Sequence, residues 1–253
     1  MPHRRRLYWL FVIWLLYFSA PSRSATEAVE PSPRYELIAH RDDATPAEPT
    51  AAERRRGFQL FRRHWMNAVF SSTVPPRDER LFGLKDFASP GEFEPVAFGL
   101  HALRDLDELS LSATPLKSAE NQLPPPELYV ARNLLVAVRH SQAPQVLEMP
   151  VVLERRRRFT ASAATSRFCW VTLHIPPGTP AGTYRGEITV TCNRRTTVRI
   201  PVTLRVLPIR LLPSSELEQS YGFWTWHFEA PPAYAPDPLV SCRDMVAHGF
   251  NSV

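Results

Sequence analysis

The stretch Phe168-Cys169-Trp170-Val171-Thr172-Leu173-His174-Ile175, followed by Tyr184-Arg185-Gly186-Glu187-Ile188-Thr189-Val190-Thr191-Cys192 and by Thr197-Val198-Arg199-Ile200-Pro201-Val202-Thr203-Leu204-Arg205-Val206, decides the fold. Successive side chains of a strand point to opposite faces, so an apolar period of two marks a half-buried strand. In the first run Cys169, Val171, Leu173 and Ile175 share one face, and Trp170, Thr172 and His174 the other. In the second, Tyr184, Gly186, Ile188, Val190 and Cys192 are set against Arg185, Glu187, Thr189 and Thr191. In the third, Val198, Ile200, Val202, Leu204 and Val206 face inward while Thr197, Arg199, Thr203 and Arg205 face out. Three antiparallel strands covered on one face are the expectation.

The loop Pro176-Pro177-Gly178-Thr179-Pro180-Ala181-Gly182-Thr183 stops the first ladder and turns the chain back. A register with Val171 opposite Val190 and Leu173 opposite Ile188 would set Cys169 beside Cys192 on the inner face. Two outcomes stay open for that pair: a disulfide in an oxidising compartment, or two reduced thiols buried as small hydrophobes.

Upstream, short β-like runs separated by Pro, Gly, Asn and Ser continue the all-β pattern. The strands expected are 81–87, 93–100, 108–113, 127–138, 147–153, 168–175, 184–192 and 196–207. Before them, Thr50 and Glu53 have the spacing of a capping box, and Phe58, Leu60, Phe61, Trp65 and Met66 recur at roughly helical intervals. A helix over 51–67 follows, its arginines solvating the side opposite the aromatic residues. Residues 25–48 have the Pro, Ala, Ser and acid content of a flexible linker.

At the N-terminus Arg4-Arg5-Arg6 precede Leu7 to Phe18, an apolar or aromatic run of 12. That is the form of a secretory signal peptide over 1–24, with Ser22 and Ser24 at the −3 and −1 positions of a cleavage site. The run is shorter than the ~20 residues of a spanning helix. Export to the periplasm, cell surface or medium is expected, the alternative being an uncleaved N-terminal membrane anchor. The four arginines of this segment, taken from a formal net charge of +5, leave +1. Such a balance argues against nucleic acid and anionic membranes as partners. Arg155 to Arg158 reads as a solvated loop between strands. The cysteines Cys169, Cys192 and Cys242 lack zinc-site spacing, and His40, His64, His140 and His174 are scattered. No metal, nucleotide or serine-hydrolase pattern is present, and no cofactor is expected.

After Pro213 the pattern changes. Ser220 to Trp226 is a short strand candidate, Pro238 opens a helix that Gly249 closes, and Phe250 to Val253 begins another strand. This is a parallel βα unit. A (β/α)8 barrel needs about 250 residues, so 214–253 is expected to be the start of a truncated catalytic domain, after a β-sandwich with leading helix over 49–213.

Three segments resemble the bacterial proteins of glycoside hydrolase family 123. Gly91-Glu92-Phe93-Glu94-Pro95-Val96-Ala97-Phe98 is similar to the first sandwich strand of that family. Trp170 to Pro176 leading into Pro180-Ala181-Gly182-Thr183-Tyr184-Arg185-Gly186 is similar to its central hairpin. Asp244 to Val253 is similar to the end of its first barrel helix and the next strand. The resemblance implies a β-sandwich before a (β/α)8 barrel, and substrate-assisted hydrolysis of N-acetylhexosaminides by an adjacent Asp-Glu pair on a later barrel strand. No such pair follows Ser220, since Glu229, Asp237 and Asp244 stand alone. The adjacent acids Asp42-Asp43, Asp78-Glu79 and Asp107-Glu108 read as solvated surface.

No catalytic residue is therefore assigned. Trp226 and His227, near the end of the first barrel strand, are the sugar-stacking candidates, against packing of aromatic residues on the barrel floor. The expected function is that of a non-catalytic N-terminal portion of an exported glycoside-hydrolase-like protein, with a glycan or cell-surface polysaccharide as partner. The alternative is a stand-alone β-sandwich that binds carbohydrate or protein at the cell surface.

Overall fold

The computed structural model describes residues 35–41, 45–138, 145–156, 158–194, 196–212, 216 and 238–250. They form a mainly β body of two mixed sheets. In chain order the elements are β1 (Glu36–Ile38), α1 (Ala51–Arg56), β2 (Phe58–Arg62), β3 (Leu84–Ala88), β4 (Phe93–Ala102), β5 (Leu106–Ala113), β6 (Glu127–Ala137), β7 (Gln145–Glu154), β8 (Phe159–Ala161), β9 (Ser166–His174), β10 (Gly182–Cys192), β11 (Thr196–Val206) and α2 (Pro238–Ala247). One sheet runs β1-β7-β6-β9-β4-β2 and the other β3-β11-β10-β5-β8.

The face assignments of the three deciding runs hold. Cys169, Val171 and Leu173 from β9, Tyr184, Ile188 and Val190 from β10, and Ile200, Val202 and Leu204 from β11 are all buried in one core. Phe98 and Leu100 of β4 and Leu106 and Leu109 of β5 join them, so the two sheets close on a shared apolar layer.

The expected pairing of the first two runs does not hold. β10 pairs with β11 and β5, whereas β9 pairs with β4 and β6 in the opposite sheet. The proline-rich loop thus carries the chain from one layer to the other instead of closing a hairpin. Tyr184, buried at the start of β10, donates its hydroxyl to the Pro180 carbonyl at 2.9 Å and pins that crossing. Gly186 faces Leu116, where a Cβ would come within 3.0 Å of Cδ1. The register that would have set Cys169 beside Cys192 is absent: Cys169 lies opposite Phe98 and Val130, and Cys192 opposite Leu109 and Thr196. Both are free and buried.

The helix expected over 51–67 is a single short one. Its capping box forms, with the Glu53 amide donating to Thr50 Oγ1 at 3.2 Å and the Thr50 amide to Glu53 Oε2 at 2.7 Å. Gly57 then adopts φ +88°, its amide donating to the Glu53 carbonyl, and ends the helix. β2 follows, with Phe58 and Leu60 in the main core and Phe61 in a second cluster on the outer side of the six-stranded sheet, with Val69, Ala97, Ala131 and Phe168. Both faces of β2 are covered, which hides the period of two and leaves a spacing that imitates a helix.

Two further strands were not expected. β1 falls within the segment read as linker and adds to β7 in parallel, and β8 pairs with β5. Asp107 and Glu108 lie inside β5. In the C-terminal segment α2 forms as expected from Pro238, and Gly249 (φ +92°) closes it with the Phe250 amide donating to the Met245 carbonyl. The strand expected at 220–226 and residues 251–253 lie outside the described residues. No helix among the described residues is long and apolar enough to cross a membrane.

Candidate functional site

Trp226 and His227 lie outside the described residues. The aromatic and polar side chains that do come together stand on the outer face of the six-stranded sheet, where residues directly opposite across neighbouring strands share a face. The register writes them in rows. Phe93 lies opposite His174; Pro95 opposite Thr172, which is opposite Glu127; Ala97 opposite Trp170, which is opposite Tyr129. Trp170, Thr172 and His174 are the outward residues of β9 read from its alternation, and all three are half-buried.

The Phe93 and His174 rings stack with centroids 4.3 Å apart and planes 2° apart. The His248 ring, just after α2, lies 4.2 Å from the Phe93 ring, so the helix end docks on this row. A cleft of about 950 Å³ opens there, lined by Glu92, Phe93, Gly178, Arg210, Val246 and His248 among others. Two rows along, Trp170 meets Trp65 and Phe168 edge to face at 6.1 and 6.0 Å, and its indole N–H donates to Thr172 Oγ1 at 3.2 Å.

Beside Trp170, Tyr129 donates its hydroxyl to Glu127 Oε2 at 2.5 Å. Arg155 Nε and Nη2 donate to that hydroxyl at 3.2 and 3.1 Å, and Nη2 lies 2.6 Å from Glu127 Oε1. The guanidinium carbon sits 5.3 Å from the Tyr129 ring centroid. Burial would raise the Glu127 carboxyl, but the Tyr129 and Arg155 hydrogen bonds and the positive charge of Arg155 and His248 hold it below the usual range. Burial and the Glu127 bond push the Tyr129 phenol up. The first member of the basic run is therefore folded back onto the sheet. Arg156 and Arg158 do behave as a solvated loop, pairing with Glu154 and Glu108.

A second acidic group lies at the end of β4. Glu94 sits on its core side, and burial, then the nearby Asp86 and Glu92 carboxylates, push its carboxyl up to about 7. Asp86 belongs to β3 of the other sheet, and Glu92 is spent on the turn, accepting from the Ser89 amide at 2.6 Å. Glu94 is half-buried and is not among the residues lining the clefts of about 950 and 900 Å³. Of the adjacent acids, Glu108 pairs with the exposed Arg158 and Arg194, as solvated surface would, whereas Glu79 pairs with Arg63 in a largely buried contact; Asp42 and Asp43 lie outside the described residues. Among the described residues no cluster of His, Cys, Asp and Glu is arranged to hold a metal ion.

Sequence reasoning placed Trp170 and His174 outward but passed over Tyr129, Glu127 and Arg155. The available signal was the Glu-x-Tyr spacing at 127 and 129, which puts both side chains on one face of a strand.

No protein-family model and no curated protein matches the sequence. Among solved structures, the chain is similar in fold to a family 123 glycoside hydrolase from Clostridium perfringens described for glycolipid glycan hydrolysis, with a TM-score of 0.57 and 14% identity. The match covers 66% of this chain and 30% of that one, so the chain spans about a third of the hydrolase. A PapD-like domain of human CEP192 (TM-score 0.32, 12% identity, 68% of this chain and 99% of that one) and the enterotoxigenic E. coli adhesin CfaE (0.30, 10%, 62% and 50%) also match, at scores too low to carry a structural argument.

Proposed function

We propose that the two-sheet body is the β-sandwich of an exported, glycoside-hydrolase-like protein acting on glycans, and that it contributes to glycan handling without catalysing hydrolysis. The fold likeness to a family 123 glycoside hydrolase supports the hydrolase half of this reading. The observation that carries the glycan half is the outer face of the six-stranded sheet. There, aromatic rings stand beside a carboxylate and a guanidinium that neutralise each other, a surface suited to an uncharged, hydroxyl-rich ligand.

The non-catalytic assignment rests on the carboxylates. A glycosidase needs two acids flanking a substrate-accessible gap, and no adjacent Asp-Glu pair follows Ser220, where Glu229, Asp237 and Asp244 stand alone. Export is read from Arg4-Arg5-Arg6 and the apolar run Leu7 to Phe18. Residues 214–253 are read as the start of a (β/α)8 domain, α2 being its first helix and His248 its foothold on the sandwich.

The test is a paired assay on the purified protein. It is expected to release no aryl alcohol from aryl N-acetyl-hexosaminides while being retained on immobilised N-acetylhexosamine polymers. Turnover would remove the non-catalytic role, and passage through every glycan column would remove the glycan reading.

A further inference from the structure

The geometry points to a saccharide-binding site on the outer face of β6 and β9, in which one pyranose ring stacks on Trp170 and its hydroxyls bond Arg155 and Glu127. It deepens the glycan reading above and rests on it.

The floor is set by register. Trp170 has the buried Ala97 on one side and Tyr129 on the other, and its half-buried indole is the floor. Trp65 and Phe168 meet the Trp170 ring at interplanar angles of 74° and 84° and hold it in place. The aliphatic C–H face of a pyranose fits such a ring. Peptides and lipids do not suit the rest of the surface, which is polar within one residue of the indole.

The wall is the Glu127, Tyr129, Arg155 trio. Every bond within it fixes the guanidinium plane beside the Trp170 row. Arg155 Nη1 has no partner among the described residues, and the Arg155 side chain is 65% exposed against 39% for Glu127. One donor and one carboxylate edge are thus presented to solvent in a fixed relation. A vicinal pair of hydroxyls, each both donor and acceptor, meets that relation. Because the trio carries one positive and one negative charge, it offers an ionic ligand no net attraction. The ligand class is a neutral pyranoside.

The site has a length as well. His174, with Phe93 stacked on it, lies four residues along β9 from Trp170, about 13 Å at the rise of a strand. An oligosaccharide has room to run from Trp170 toward that second stack, and His248 bounds the far end.

Titration calorimetry and tryptophan fluorescence with chitotriose and cellotriose test the proposal on the whole protein. Native protein should bind at least one of the two. Trp170→Ala and Arg155→Ala should each weaken binding about tenfold or more, while Trp170→Phe keeps it within about threefold because a ring face is restored. Arg155 is exposed, so its variant reports on the site even if Trp170→Ala fails to fold. Phe82→Ala, at an exposed residue (85%) outside this face, is the control and should change nothing. Native binding that neither Trp170→Ala nor Arg155→Ala weakens overturns this site and leaves the glycan reading standing. No binding of either trisaccharide by the native protein overturns the site, and together with passage through the glycan columns it ends the glycan reading.

Discussion

Glu94 is the residue whose ionisation the fold opposes most plainly. Burial, then the Asp86 and Glu92 charges, push its carboxyl up to about 7 from an ordinary 4.5, so between those values the native state holds a proton that the unfolded chain has released. Stability is then full below about pH 4.5 and is lost as pH rises to about 7. Glu94→Gln should remove that slope and raise Tm at pH 8 by about 2–4 °C, read from thermal melts at pH 5, 6, 7 and 8. Glu53 works in the opposite sense. Burial alone would raise it, but the Thr50 hydrogen bonds and the Arg56 and Arg80 charges hold it low, so its contribution fades as pH falls. The thiols make a second residue-scale prediction. Burial pushes Cys169 up to about 12 and also raises Cys192, whereas Cys242 is partly exposed. Iodoacetamide at pH 8 should label Cys242 in the native protein and the other two only after unfolding. A peptide linking Cys169 to Cys192 would contradict the two-sheet placement of their strands.

At the scale of elements, β2 depends on a glycine in its neighbour. A Cβ on Gly99 would come within 2.0 Å of the Phe61 ring, which has no room to move inside its buried cluster. Gly99→Ala should therefore cost about 1–3 kcal/mol in urea unfolding, and pairing it with Phe61→Leu should recover part of the loss. Tyr184→Phe should cost about 1 kcal/mol by removing the bond to Pro180. The same elements show what could be read beforehand. The faces of β9, β10 and β11 were legible because each strand has one wet side. The identity of β2 was not, because Phe58, Leu60 and Phe61 are buried on two different sides. Alternation states which way a side chain points and is silent about which strand lies alongside, so the pairing of β9 with β10 looked as natural as the true one.

For the whole molecule, burial ranks the parts. Leu239, Val240 and Val246 of α2 are exposed at 64%, 56% and 65%, whereas β4, β9 and β10 supply the fully buried side chains Phe98, Leu100, Val171 and Ile188. Amide hydrogen exchange should be fast throughout α2 and slowest in those three strands; protection of α2 equal to theirs would contradict this ranking. The candidate site was only half visible for a related reason. Trp170 and His174 announce themselves on a polar strand face, but Arg155 joins them from a loop whose charge run reads as solvent-facing, and only tertiary placement brings it 2.6 Å from Glu127.

The crossing of the chain between layers after His174 also bears on how the protein comes to be folded. β9 takes its neighbours from β4 and β6, segments synthesised well before it, so its place in the sheet is won only after long stretches of chain have been brought round. Loops of that length close at an entropic cost before any contact repays it. Refolding followed by stopped-flow fluorescence should accordingly be slow, in the range of milliseconds to seconds.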